Sequence, residues 1–163
     1  MVIQMKQKEI FVRNDLFFAG IQEMLHQGKS VRIRVRGSSM LPFLRHNDDA
    51  LLAPPEGKHI RQGTVVVAQT DESGIVLHRI RRIDRNGRIT LLGDGNTYIF
   101  EHTDRSRIIA VVTRYYRGKY SFSPESPLMR FVGLLWCDMH PWRRHLLTAL
   151  WKIKKSITTN NKL

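Results

Sequence analysis

Thr64-Val65-Val66-Val67-Ala68, Ile75-Val76-Leu77-His78-Arg79-Ile80 and Arg88-Ile89-Thr90-Leu91-Leu92 succeed one another, with turn-forming residues at Asp71 to Gly74 and at Asn86-Gly87 between them. β-Branched side chains are frequent in the runs. Asn-Gly between such runs is the strongest short hairpin signal, because both central residues of the tightest hairpin turn need positive φ. The stretch therefore predicts consecutive antiparallel strands joined as a meander.

The flanking sequence extends the pattern. Ala50 to Ala53 is a short apolar run ending at Pro54-Pro55, and Ile108 to Tyr116 is a longer one closed by Gly118. Val31-Arg32-Ile33-Arg34-Val35-Arg36 alternates strictly, placing three β-branched side chains on one face and three arginines on the other, the signature of a half-buried strand. About six strands are thus expected within roughly ninety residues, a mainly β chain. Helices are expected at both ends. Asn14 or Asp15 caps the first, Phe17, Phe18, Ile21, Met24 and Leu25 recur at helical spacing, and Gly28 stops it. Ser126-Pro127 opens another, with Leu128, Phe131, Val132, Leu135 and Trp136 at helical spacing, and Pro141 separates it from a basic amphipathic helix. The expected organisation is a helical segment over 1–30, a β core over 31–120 and a helical tail over 121–163.

With 163 residues and a hydrophobic fraction of 42%, the chain can bury one core without metals or cross-links. Its single cysteine, Cys137, makes no internal disulfide and reads as a packing residue. The net charge of +13 suits nucleic acid, anionic lipid or acidic peptides as partners, and does not choose among them. No run reaches the roughly 20 apolar residues of a membrane span. Lys6, Lys8, Glu9, Arg13, Asn14 and Asp15 interrupt any secretory apolar core. A cytoplasmic location follows as the expectation. In the tail, Trp142, Leu146, Leu150 and Ile153 form an apolar stripe beside Arg143, Arg144, Lys152, Lys154 and Lys155. This pattern fits a peripheral contact with an anionic membrane and equally a helix packed on the core with a solvated basic face.

Gly37-Ser38-Ser39-Met40-Leu41-Pro42-Phe43-Leu44 is a small-residue turn between strands, where hydroxyls can be exposed beside backbone N–H groups. Such a turn meets the needs of a nucleophile, since neighbouring amides stabilise an oxyanion by about 3 kcal/mol per donor. By composition alone it is also an ordinary loop. The pattern Gly37-x-Ser39-Met40-x-Pro42 resembles the nucleophile box of signal peptidases, in which the serine before methionine attacks. Gly63-Thr64-Val65-Val66-Val67 resembles the Gly-Asp-Val-Val strand of that family. Val76-Leu77-His78-Arg79-Ile80 is similar to the Val-His-Arg-Val strand of the endoplasmic-reticulum type, where histidine replaces a lysine base. Leu92-Gly93-Asp94-Gly95-Asn96 is similar to its Gly-Asp-Asn box, which an acidic residue follows.

The resemblance covers roughly residues 31 to 115. It implies a coiled antiparallel sheet and a serine endopeptidase of the signal peptidase and LexA-like superfamily acting on a peptide or protein substrate. Ser39 is then the nucleophile, His78 the general base, and Glu101 or Asp94 the carboxylate that orients it, Glu101 sitting about where the family places the orienting acid and Asp94 holding the turn together, with Asp104 a third choice. Gly37, Ser38 and Met40 border the substrate and the oxyanion. Two departures stand out. Gly37-Ser38 replaces the usual Ser-Gly, and a glycine two residues before the serine is closer to the Gly-Met-Ser-Met turn of LexA-like repressors, whose base is lysine. By alternation His78 shares a face with Val76 and Ile80, an apolar setting that favours the neutral ring able to accept a proton.

Other features have simpler readings. His26, His46, His59, His102, His140 and His145 are scattered without metal-ligand spacing, so neither a metal nor another cofactor is expected. Arg79, Arg81, Arg82, Arg85 and Arg88 read as a solvated basic hairpin face, and Tyr115, Tyr116 and Tyr120 beside Arg114, Arg117 and Lys119 as strand-edge aromatics. Without a helix-turn-helix signal, nucleic acid is not the expected partner. The rival readings are a peptidase-like binding module without activity and a basic nucleic-acid-binding regulator.

Overall fold

The computed structural model describes residues 14–96, 99–139 and 142. A helix α1 (Asn14–His26) precedes strands β1 (Val31–Arg34), β2 (Asp49–Ala53), β3 (Val65–Thr70), β4 (Gly74–Ile83), β5 (Ile89–Leu92), β6 (Phe100–Thr103), β7 (Ile108–Arg117) and β8 (Tyr120–Phe122), and a helix α2 (Pro127–Asp138) follows. The basic helix expected after Pro141 lies, apart from Trp142, outside the described residues.

All eight strands join one antiparallel sheet in the order β1-β2-β7-β3-β4-β5-β6, with β8 added to β7. The chain is mainly β, as its turn and strand signals predict. Strands β3 to β6 form the meander. Gly74 (φ 74°) and Gly87 (φ 81°) take positive φ in their turns, whereas Asn86 does not. Asp84 N donates to Arg88 O and Gly87 N to Asp84 O, so Asn86-Gly87 lies in a wider turn than the two-residue form the dipeptide suggests. Register shifts between Leu51 and Leu52, between Val67 and Ala68, and between Ile80 and Arg82 interrupt the ladders. Such bulges bend strands and increase twist, so the sheet coils and covers both of its faces.

Strand β3 lies in the middle of this coil. Val65 and Val67 enter one apolar cluster with Leu52, Ala110, Val112 and Tyr115, while Val66 and Ala68 enter the other with Ile80, Ile89, Leu91 and Val111. A strand buried on both faces has no use for alternation, which is why the sequence reads as an unbroken apolar run. β1 keeps its alternation: Val31, Ile33 and Val35 pack on the first cluster while Arg32, Arg34 and Arg36 stay exposed.

Several expectations need correction. Two strands, β6 and β8, carry no clear sequence signal. Tyr115 is a fully buried core residue against Phe122, not an edge aromatic, because at this position β7 is flanked by Ala50 of β2 and Phe122 of β8. α1 docks through Ile21 and Leu25, leaving Phe17 and Met24 exposed. α2 begins where Ser126 Oγ accepts from Met129 N and Pro127 opens the helix, yet its buried face is Gly133 and Cys137, while Leu128, Phe131 and Leu135 face outward.

Candidate active site

Three segments that are distant in the chain meet at one place. The first is the loop after β1. Gly37 has φ 104°, a conformation glycine adopts without strain, and its N–H donates to His46 Nδ1 at 3.2 Å. Ser38 is exposed, Ser39 half-buried, and Met40 and Leu44 drop into the core, so Ser39 sits where the chain turns inward. Leu41 N donates to Ser38 O (3.1 Å) and Leu44 N to Met40 O (3.0 Å), making the loop a compact turn. Its far end is fixed by Arg117, which contacts the Asp48 carboxylate through Nε and Nη2 and also donates to the Phe43 carbonyl at 2.9 Å.

The second segment is β4, which places the buried His78 beside Ser39 in a shared cavity of about 240 Å³. Val35, Arg36, Met40, Leu44, Ile75, Val76 and Leu77 complete its wall with Gly37. No hydrogen bond joins Ser39 to His78 among the described residues. The setting of His78 is not the purely apolar one alternation suggests. Glu101, from β6, is 2% exposed and hydrogen-bonds His78 Nδ1. That bond occupies Nδ1 and leaves Nε2 as the nitrogen able to exchange a proton, the arrangement in which a carboxylate can orient an imidazole.

The third segment is the turn Gly93-Asp94-Gly95, which lies directly on the serine loop. Gly95 N donates to Ser39 O at 2.7 Å. A Cβ on Gly93 would come within 2.6 Å of Ser39 O and 2.9 Å of His78 Nε2, and one on Gly95 would strike Ser38 O. Both positions are therefore glycine because backbone packs against backbone here. Gly93→Ala is expected to push the serine loop away from His78, costing about 1–3 kcal/mol of stability and a larger share of reactivity. Urea unfolding and labelling by an active-site serine reagent check the two parts. Unchanged labelling would show that the contact is slack.

Glu101 and Asp94, alternatives in sequence, have different partners. Asp94 faces Arg79, with Oδ1 2.8 Å from Nε and Oδ2 2.7 Å from Nη2. Arg79 is 1% exposed, which corrects its reading as part of a solvated basic face, and its Nη1 donates to Gly63 O at 2.8 Å. Burial works against the charged guanidinium, but the Asp94 carboxylate outweighs it and raises the Arg79 pKa above its ordinary value. Asp104 binds neither His78 nor Arg79. It caps the turn Arg105–Arg107 through Ser106 N. Among the described residues no group of three or more His, Cys, Asp or Glu side chains is placed to hold a metal.

Residues that sequence reasoning did not assign to the site support it from α2. Trp136 Nε1 donates to Asp94 O at 2.7 Å, and its ring meets Phe43 edge to face. Gly133 lets the helix approach Arg79, since a Cβ there would lie 2.6 Å from Cζ. A glycine inside a helix is the available signal, because it costs helix stability unless something packs closely on it.

The family model for Peptidase S24-like proteins matches residues 4–124. The chain belongs to that family. The match takes in the serine loop, β4, the Gly93–Gly95 turn and β6, and it ends before α2 begins. No curated protein matches the chain. Membership in the Peptidase S24-like family makes a serine-peptidase type of function the expectation, and the mainly β sheet with flanking helices is consistent with that family's core.

Proposed function

We propose that this protein is a serine endopeptidase in which Ser39 attacks, His78 is the general base and Glu101 orients His78. One observation carries the reading: His78 Nδ1 is bound to a buried carboxylate while the same ring lines a cavity with the serine of a Gly-x-Ser-Met turn. A buried histidine serving only as packing would have no need of a carboxylate beside it, since taking that charge out of water is costly.

In this reading Ser39 Oγ adds to the scissile carbonyl as its proton passes to His78 Nε2. The tetrahedral adduct collapses with that proton going to the leaving amine, and water then releases the acyl group by the reverse transfers. The contact between Ser39 and His78 tightens when substrate closes the site, as catalytic hydrogen bonds commonly do. Gly37 N–H is committed to His46 and Leu41 N–H to Ser38 O, so the oxyanion falls to the amides of Ser38, Ser39 and Met40. Asp94 serves as a positioning residue that keeps Arg79 and the Gly93–Gly95 turn in place.

Substrate binding has a natural edge. Among the described residues the first half of β4 pairs only with β3, since β5 joins at Arg79. Ile75 to His78 thus border the cavity with a ladder side that an extended peptide can extend. The pairing of serine with histidine is the feature that aligns the chain with the endoplasmic-reticulum type of signal peptidase within the superfamily.

The test is labelling of the folded native chain by a fluorophosphonate, with the modified residue located by peptide mass analysis. An adduct on Ser39 is expected. Absence of labelling, or an adduct on Ser38 or another serine, would replace the peptidase reading with a binding module built on the same fold.

A further inference from the structure

We infer that α2 and the basic sequence after it form a docking face for an anionic phospholipid surface. The inference stands apart from the peptidase reading, because it rests on the other side of the helix. The inner side of α2 is already occupied by Arg79, Asp94 and Phe43 through Gly133 and Trp136. On the outer side Leu128, Phe131 and Leu135 are 70%, 65% and 50% exposed, and Trp142 is 70% exposed. Their spacing of three, four and seven residues puts the three helical side chains in one stripe, and Trp142, beyond the end of α2, is exposed as well. Large apolar side chains aligned on a helix that is already anchored are a surface awaiting a partner.

Charge identifies the partner. From Met139 to Leu163 the sequence has no aspartate or glutamate, and it carries Arg143, Arg144, Lys152, Lys154, Lys155 and Lys162. Leu146, Leu150 and Ile153 continue an apolar series at helical spacing through the same stretch. A second copy of a chain with net charge +13 would bring like charges together along this face. Nucleic acid would use the cations and leave the Leu-Phe-Leu stripe unused. An anionic lipid surface uses both, headgroups pairing with the cations while the apolar side chains enter the acyl boundary. No described helix is long and apolar enough to cross a membrane, and the contact proposed is one of lying on the surface.

The experiment is co-sedimentation of the full chain with vesicles of phosphatidylcholine alone or mixed with phosphatidylglycerol. Binding is expected only with phosphatidylglycerol, weakening as salt shortens the screening length from about 10 Å toward about 3 Å. Phe131→Ser with Leu135→Ser is expected to lower the partition coefficient about tenfold or more while circular dichroism stays unchanged. Should that variant fold poorly, Lys152→Glu with Lys154→Glu and Lys155→Glu decides, with a loss of similar size expected. Failure of the native chain to sediment overturns the inference, as does sedimentation that neither variant reduces. A concentration-dependent dimer abolished by Phe131→Ser, without vesicle binding, would overturn it in favour of a second copy. The labelling of Ser39 is unaffected by any of these outcomes, so the two readings fail separately.

Discussion

Ser39→Ala is expected to abolish both fluorophosphonate labelling and peptide hydrolysis, with kcat falling by about 10⁶ if the group acts as a catalytic unit. His78→Ala should cost about as much, and the double variant no more than either alone, because a nucleophile without its base is no better than none. Glu101→Gln is the sharper probe. The amide keeps the size of the carboxylate but no longer stabilises the imidazolium, and it offers His78 Nδ1 a donor as readily as an acceptor. By analogy with other triads the loss is about 10⁴ in kcat, with KM little changed. Single-turnover kinetics on a labile ester measures all three. A fall in Glu101→Gln of less than tenfold, in a folded protein, would show that the buried carboxylate holds β6 to β4 and takes no part in the chemistry.

The position of Glu101 also explains what the sequence leaves illegible. β6 reads Phe100-Glu101-His102-Thr103, and a hydrophobic reading would bury Phe100 and expose Glu101. The structure does the opposite, with Phe100 exposed and Glu101 buried against His78. The strand violates its own pattern where the candidate chemistry sits, so pattern reading passes over it. β8, with three residues, is too short to announce itself. Arg79 is illegible for a related reason. A run of arginines suggests solvent, and only a carboxylate 15 residues away makes one of them a core residue. The strands β3, β4 and β5, by contrast, are legible because β-branched runs and glycine turns are local signals. So is the likeness of the Ser39 and His78 segments to the superfamily. The division between Glu101 and Asp94 is legible only through that likeness, which places the orienting acid near Glu101, since by pattern both are simply acidic residues in the stretch after β5.

That division yields the largest stability effect expected in the molecule. Arg79 and Asp94 are both essentially without solvent exposure and make two parallel contacts. Removing one partner leaves an uncompensated charge in the core, which typically costs about 3–5 kcal/mol. Against a total stability of about 5–15 kcal/mol, Asp94→Ala is expected to lower the urea midpoint by about a third or more. Arg79→Met with Asp94→Leu removes both charges, and should cost less than either single change. The ordering matters more than the sizes, because it separates charge from packing: a double variant as unstable as the sum of its parts would mean that shape, not the ion pair, holds the turn. Since Gly93 and Gly95 in that turn touch Ser39 and Ser38, the double variant also reports on the site. If it recovers stability without recovering the labelling rate of Ser39, then the Arg79–Asp94 pair serves to aim the turn at the nucleophile, and Trp136, bonded to the Asp94 carbonyl, is the means by which α2 takes part in that aim.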